Sequence, residues 1–302
     1  MDVLAIGLVV FSAVLHAGWN ILGKSHAGSG VAFTMAASLS ACLLLTPYLI
    51  WYLVTVGWAT LPMAFWGLLL ISGLAQMVYL VGLIVAYKHA DVGVIYPIAR
   101  ALPVMMVGAL SMLLGHTLTQ FQWLGFVLIT LGCMLVPLTG FRQFTPRSYL
   151  NVGVLWALVA ALGTTGYSVI DKEALLLLTQ AAGDVLGNSY SAIFYLGVQF
   201  WAMVLPVILW CVVTGNRQEL QRAWKIRKAA SMAGVMMAST YGLVLFAMTM
   251  TDNVSLVVAL RQISIVMGLL MGVWFLAEKW HYTRGAGVVL ILSGIVLTLG
   301  KA

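Results

Sequence analysis

Apolar residues run in long stretches along this chain, and polar residues cluster in the short gaps between them. Ten such stretches are visible, over residues 3–22, 30–54, 63–87, 93–114, 122–139, 150–170, 190–213, 230–250, 254–277 and 283–300. At about 1.5 Å rise per residue, a stretch of this length crosses the roughly 30 Å hydrocarbon core of a bilayer as a helix. A helix is also the natural solution in lipid, because it satisfies its own backbone hydrogen bonds. Strands of a barrel would alternate polar and apolar residues at every second position, and no such alternation is present. The pattern predicts an all-α integral membrane protein of ten transmembrane helices.

Composition agrees with this. Apolar residues make up 63% of the chain and charged residues 8%, with a mean hydropathy of +1.05, which leaves too little polar surface to cover a soluble globule. The N-terminus has no basic region or small-residue cleavage site ahead of its first apolar stretch, so no leader is expected to be removed. Cys42, Cys133 and Cys211 fall in three different apolar stretches without metal-ligand spacing, and read as small buried hydrophobes. No metal and no cofactor is expected.

The net charge of +7 changes the topology more than the function. A basic nucleic-acid face requires a soluble surface, so no nucleic-acid partner is expected. Lys24, Lys88, Arg142, Arg147, Arg217, Arg222, Lys225, Arg227, Lys228, Lys279 and Arg284 all sit in connections that follow odd-numbered stretches, while the even connections hold Lys172 alone. Cytoplasmic loops carry the excess of Lys and Arg, so the odd connections are predicted to be cytoplasmic and both termini outside. The cluster from Asn216 to Lys228 reads as a juxtamembrane segment held in the cytoplasm, where membrane lipid would meet it.

The chain also repeats itself. Gly18, Trp19 and Lys24 match Gly166, Tyr167 and Lys172 at one offset, and Pro47, Trp51, Val54 and Thr55 match Pro206, Trp210, Val213 and Thr214. Asp91 precedes Arg100 by the same spacing with which Asp252 precedes Arg261, and the pair Gly125 and Gly132 recurs as Gly287 and Gly294. The order of these matches is preserved, dividing the chain into an N-terminal five-helix repeat over 1–140 and a C-terminal one over 141–302 within one membrane domain. An odd number of spans per repeat inverts the second repeat against the first. That arrangement suits a protein whose midplane site opens alternately to the two sides of the membrane.

Ten spans in two halves, an aromatic and a lysine closing the first helix of each half (Trp19 and Lys24, Tyr167 and Lys172), and a glycine pair in the last helix of each half resemble the EamA-type branch of the drug/metabolite transporter superfamily. The resemblance covers the whole chain. It implies alternating access through a central cavity lined mainly by spans 1, 3, 4, 6, 8 and 9, with spans 5 and 10 packing the halves together, and location in a bacterial inner membrane. Members are usually drawn with cytoplasmic termini, whereas the charge count here favours termini outside.

Within this frame Arg100 and Arg261 stand out, each about two turns inside its span, where an arginine costs on the order of 2.5–3.5 kcal/mol by insertion scales. Paired guanidiniums facing a cavity would grip carboxylate, phosphate or phosphonate oxygens in bidentate fashion; the competing reading is that each latches a helix by binding carbonyls or a buried acid. His16 and Asn20 share one face of the first span and are further substrate-binding candidates, as are the aromatic residues Trp19, Tyr79, Tyr96, Tyr167 and Tyr241, which could wall a cavity or belt the membrane interface. Asp91 and Asp252 stand just before spans and are expected to cap them. Lys24 and Lys172 are expected to snorkel to the interface. Pro97 and Pro103 flank Arg100 and are expected to break or kink the fourth span.

No nucleotide-binding GxxxxGK[ST] loop, HExxH pair, intramembrane aspartate dyad or GxSxG elbow is present. The expectation is therefore a non-enzymatic secondary transporter for a small polar substrate, anionic or zwitterionic, driven by protons or a counter-substrate and working as a monomer or homodimer. Two alternatives stand beside it: a phospholipid or polyprenyl-phosphate flippase, and a non-transporting membrane sensor or scaffold.

Overall fold

The computed structural model describes residues 1–25, 30–89, 92–140 and 151–300; the side chains of 19–25, 92–94, 96, 97 and 276 lie outside that description. The described residues form helices without a strand: α1 (Val3–Ser25), α2 (Gly30–Val56), α3 (Met63–His89), α4 (Val92–Leu113), α5 (Gln120–Leu135), α6 (Val152–Ala182), α7 (Asn188–Val213), α8 (Arg217–Thr249), α9 (Val254–Leu260), α10 (Ile263–Leu276) and α11 (Tyr282–Leu299). Seven segments are long and apolar enough to cross a membrane: α2, α3, α6, α7, α8, the stretch Val254–Phe275 and α11. Shorter apolar helical stretches cover Val3–Gly18, Ile98–Leu113 and Gln120–Leu135.

The surface confirms the solvent. Large aliphatic side chains such as Val54, Leu113, Leu209, Val213, Val289 and Val296 are exposed, while Ser72, Asp171, Gln199 and Gln262 are buried. In water this distribution would be inside out; against lipid tails it places each group where its interactions are satisfied. The chain is a multi-pass membrane protein.

Several helix boundaries differ from the hydropathy pattern, each for a local reason. α6 continues twelve positions past the expected end at 170, to Ala182, which puts Asp171 and Lys172 inside a helix. α8 starts at Arg217, so the cationic segment is a helical extension, stabilised by a 2.7 Å Arg222–Glu219 ion pair and by Arg227 lying 4.4 Å from the Trp224 ring. The cap of α9 is Asn253, whose side chain accepts from the Ser255 N–H, in place of the expected Asp252. Asp91 lies outside the described residues. Despite Pro97 and Pro103, α4 runs uninterrupted; the broken helix is the one without prolines, where α9 and α10 are separated at Arg261–Gln262.

The helices form two packing units, and the chain passes from one to the other inside α3, inside α6 and again between α8 and α9. The first contains residues 78–169 and 253–302. In it α5 lies along α11, α4 touches α5 and α9, and α11 touches α9 and α10. Glycine makes the α5–α11 seam: a Cβ on Gly132 would stand 2.6 Å from Gly287 O, one on Gly287 2.7 Å from Gly132 O, and one on Gly125 or on Gly294 2.6 Å from the other's carbonyl. These reciprocal contacts require the two helices to run antiparallel with their backbones in direct apposition. A further core gathers Ala86, Ile95, Ile98 and Ala157.

The second unit contains residues 2–77 and 170–252. Here α2 packs on α7 and α8, α1 on α8, and α7 on α8. Tyr52 stacks on Phe194 with ring centroids 4.2 Å apart and shares a 2.8 Å hydrogen bond with Ser191. Gly73 and Gly234 let backbones approach, since a Cβ on Gly73 would stand 2.5 Å from Ala202 O and one on Gly234 would collide with Ala37 O.

Candidate functional site

A cleft in the first unit brings together Arg100 and Pro103 of α4, Tyr79 of α3, Thr164, Tyr167 and Ser168 of α6, and Val258, Arg261 and Gln262 from the α9–α10 junction. Its cavity volume is about 30 Å³, room for one or two waters, so a metabolite would enter only as the cleft widens. Four of the nine residues singled out from sequence as substrate-binding thus line one cleft: Arg100, Arg261, Tyr79 and Tyr167. Tyr79 and Tyr167 meet edge to face, 6.2 Å between centroids at 65°, so one wall is aromatic.

The break between α9 and α10 builds the polar wall. Around Arg261 the backbone tightens to bonds three residues back: Gln262 N–H donates to Ala259 O at 3.1 Å, Ser264 N–H to Arg261 O at 3.1 Å and Ile265 N–H to Gln262 O at 2.9 Å. The Val258 carbonyl, which an unbroken helix would give to the Gln262 N–H, instead accepts from the Gln262 side chain, Nε2 to O at 3.1 Å. Ser264 ties the junction to α4: its hydroxyl accepts from Arg100 Nη2 at 2.9 Å and donates to Arg261 O at 2.7 Å. The two arginines are thereby held on the same short structural element, one by side chain and one by backbone.

The buried polar atoms of this lining that lack a hydrogen-bond partner among the described residues include Oε1 of Gln262 and Oγ1 of Thr164. Buried polar groups are nearly always paired, and these two atoms belong to residues of the cleft lining, where a ligand or solvent would complete their bonding.

The second unit holds a polar cluster of the opposite kind. Asp171 of α6 is fully buried. One carboxylate oxygen accepts from Ser72 of α3 and, at 2.7 Å, from the Tyr195 hydroxyl of α7; the other accepts from Gln199 Nε2 of α7 and from the Tyr241 hydroxyl of α8. Gln199 Nε2 also lies 3.3 Å from the Ser72 hydroxyl. Four helices are therefore tied to one carboxylate. Its neighbour Lys172 donates to the carbonyls of Met248 and Thr251 at 2.9 and 2.6 Å, placing a cation on the C-terminal carbonyls of α8, where the helix dipole favours it.

The remaining candidates fall elsewhere. Tyr241 belongs to the Asp171 cluster, and His16 is a half-buried residue of α1 in the same unit. The side chains of Trp19, Asn20 and Tyr96 lie outside the described residues.

No family model matches this chain, and no curated protein matches it. A solved crystal structure of a protein superposes on it with a TM-score of 0.63, covering 97% of this chain and 96% of its own at 16% identity. At that identity the likeness is one of fold alone.

Two features escaped the sequence reading. Asp171 was hidden because the expected end of the sixth span fell one residue before it; the polar pair Tyr195 and Gln199, four apart on one face of α7, was the signal that an interior partner existed. Gln262 was overlooked beside Arg261, although a second polar residue within an apolar stretch also points to the protein interior or a cavity.

Proposed function

We propose that the chain is a secondary transporter that carries a small polar metabolite, anionic or zwitterionic, by alternating access through ten spans arranged as two inverted five-helix repeats. The observation that carries the reading is the convergence of Arg100 and Arg261, matched by internal similarity, on one cleft with an aromatic wall. Two guanidiniums in a membrane interior cost free energy unless an anion or equivalent dipoles offset them, and the fork of each guanidinium fits two oxygens of a carboxylate or phosphate.

The α5–α11 seam supports the repeat. Internal similarity equates Gly125 with Gly287 and Gly132 with Gly294. Contact between Gly125 and Gly294 then has as its two-fold mate the contact between Gly287 and Gly132, and both occur. Isologous contact of this kind is the signature of a local two-fold axis. The support for ten spans is the seven long segments, Val254–Phe275 among them, together with the three shorter apolar helices. The positive-inside rule puts the termini outside, and the resemblance to EamA-type transporters places the chain in a bacterial inner membrane.

Uptake into proteoliposomes tests the proposal. A panel of labelled small anions and zwitterions is offered to purified protein, and at least one is expected to accumulate in a manner lost in Arg100→Gln and Arg261→Gln. Binding without accumulation would mark a sensor or scaffold, and movement of labelled phospholipid between leaflets in its place would mark a flippase.

A further inference from the structure

The cleft lining contains an acceptor that the charged oxygens of an anion cannot satisfy. Gln262 is 5% exposed, and its amide orientation is set by the bond from Nε2 to Val258 O; turned over, the amide would set its oxygen against that carbonyl, two acceptors facing one another. Oε1 is therefore the atom left without a partner. An amide oxygen only accepts, so an incoming carboxylate or phosphate oxygen would repel it. Beside it in the lining, Thr164 Oγ1 is also unpartnered and can complement either sign.

We infer that Gln262 reads a hydrogen-bond donor on the substrate, so that the transported compound is a small anion carrying an ammonium, amide N–H or hydroxyl close to its acidic group, and that bare anions are discriminated against. This rests on the reading of the cleft as the substrate site. The physical basis is an asymmetry: a buried acceptor that gains its donor contributes modestly, whereas one left unpaired by the wrong ligand carries its desolvation cost into the complex. The two arginines supply attraction for any anion, and Gln262, adjoining Arg261 in sequence, supplies the choice among anions.

The test compares matched probes: lactate against propionate, which differ by one hydroxyl donor at equal charge, and L-alanine against propionate and phosphoethanolamine against ethyl phosphate, where the added donor is an ammonium that also brings a positive charge. Binding to purified full-length protein is measured by calorimetry for wild type, Gln262→Met, Thr164→Val and Arg100→Gln. The expected result is at least about tenfold preference of wild type for a donor-bearing member of a pair, the free-energy scale of one polar group left unpaired. In Gln262→Met that preference shrinks to within about twofold while binding of propionate or ethyl phosphate persists and remains dependent on Arg100. Thr164→Val, which leaves the α9–α10 backbone untouched, retains most of the preference and shows that the discrimination belongs to Gln262. Arginine-dependent binding of all probes without preference, or an unchanged preference in Gln262→Met, overturns this inference and leaves the anion site standing. Absence of binding by every probe, or binding indifferent to Arg100→Gln, overturns the anion site and this inference together. The unfolding midpoint of each variant, measured without ligand, separates loss of recognition from loss of fold.

Discussion

The two polar clusters of this protein are built from similar materials and arrive at opposite states. Asp171, in one packing unit, is a buried carboxylate whose two oxygens receive four donors from three other helices. The cleft of the other unit gathers two arginines with open space beside them and with two buried acceptor atoms unpartnered. A charge that is fully bonded and enclosed holds helices together, whereas the role proposed for the cleft is to take up a ligand. In lipid the distinction is sharper than in water, because no solvent is at hand to complete what the protein leaves open.

The largest effect expected from breaking this contrast is on stability. Asp171→Ala leaves Ser72, Tyr195, Gln199 and Tyr241 without their common acceptor, and a loss on the order of 3 kcal/mol is expected in denaturant unfolding of the detergent-solubilised protein. Asp171→Asn, which keeps one acceptor oxygen and can donate to a reoriented tyrosine hydroxyl, should lose about a third of that. Were both variants as stable as wild type, the Asp171 cluster would not be a latch.

Arg100→Gln and Arg261→Gln should reverse the pattern. Each removes charge-assisted bonds worth about 1.5–3 kcal/mol to a bound anion, hence about 10- to 100-fold in affinity, read by calorimetry. Arg100→Gln also gives up its bond to Ser264, so a modest fall in its unfolding midpoint is expected, smaller than that of Asp171→Ala. A collapse in stability with unchanged affinity would make these arginines latches.

Gly132→Ala sharpens the comparison within the unit that holds the cleft. The added Cβ meets Gly287 O at 2.6 Å, and the seam should lose at least about 1 kcal/mol through overpacking. Anion affinity in the folded fraction should stay near wild type, because the seam is not part of the cleft lining. Tyr167→Phe should act in the opposite sense and least of all, lowering affinity by about two- to threefold through one neutral hydroxyl while leaving the aromatic wall in place.

Hydropathy located the helices well, because a residue's affinity for lipid is a property of the residue itself. It failed where a neighbour decides. Nothing in the run of apolar residues told that α6 would extend past Lys172, since the carbonyls of Met248 and Thr251 that accept from that lysine come from 76 and 79 positions away. The prolines of α4 predicted a broken helix that is intact, whereas the interruption at Arg261–Gln262 is sustained by Ser264 and by the Gln262 side chain taking over a backbone carbonyl. The arginines were legible because charge in an apolar stretch is conspicuous. Their unpartnered neighbours were not, because the absence of a partner is a property of the folded environment alone.

Anion-induced stabilisation, measured in parallel on wild type, Arg100→Gln, Arg261→Gln and Asp171→Asn, tests the contrast most directly, since a ligand that binds the folded state raises its stability by mass action. The account predicts that donor-bearing small anions raise the unfolding midpoint of wild type and of Asp171→Asn by similar amounts from different baselines, and leave both arginine variants unmoved. Equal stabilisation of all four proteins, or stabilisation lost only in Asp171→Asn, would contradict it and move the binding site to the other cluster.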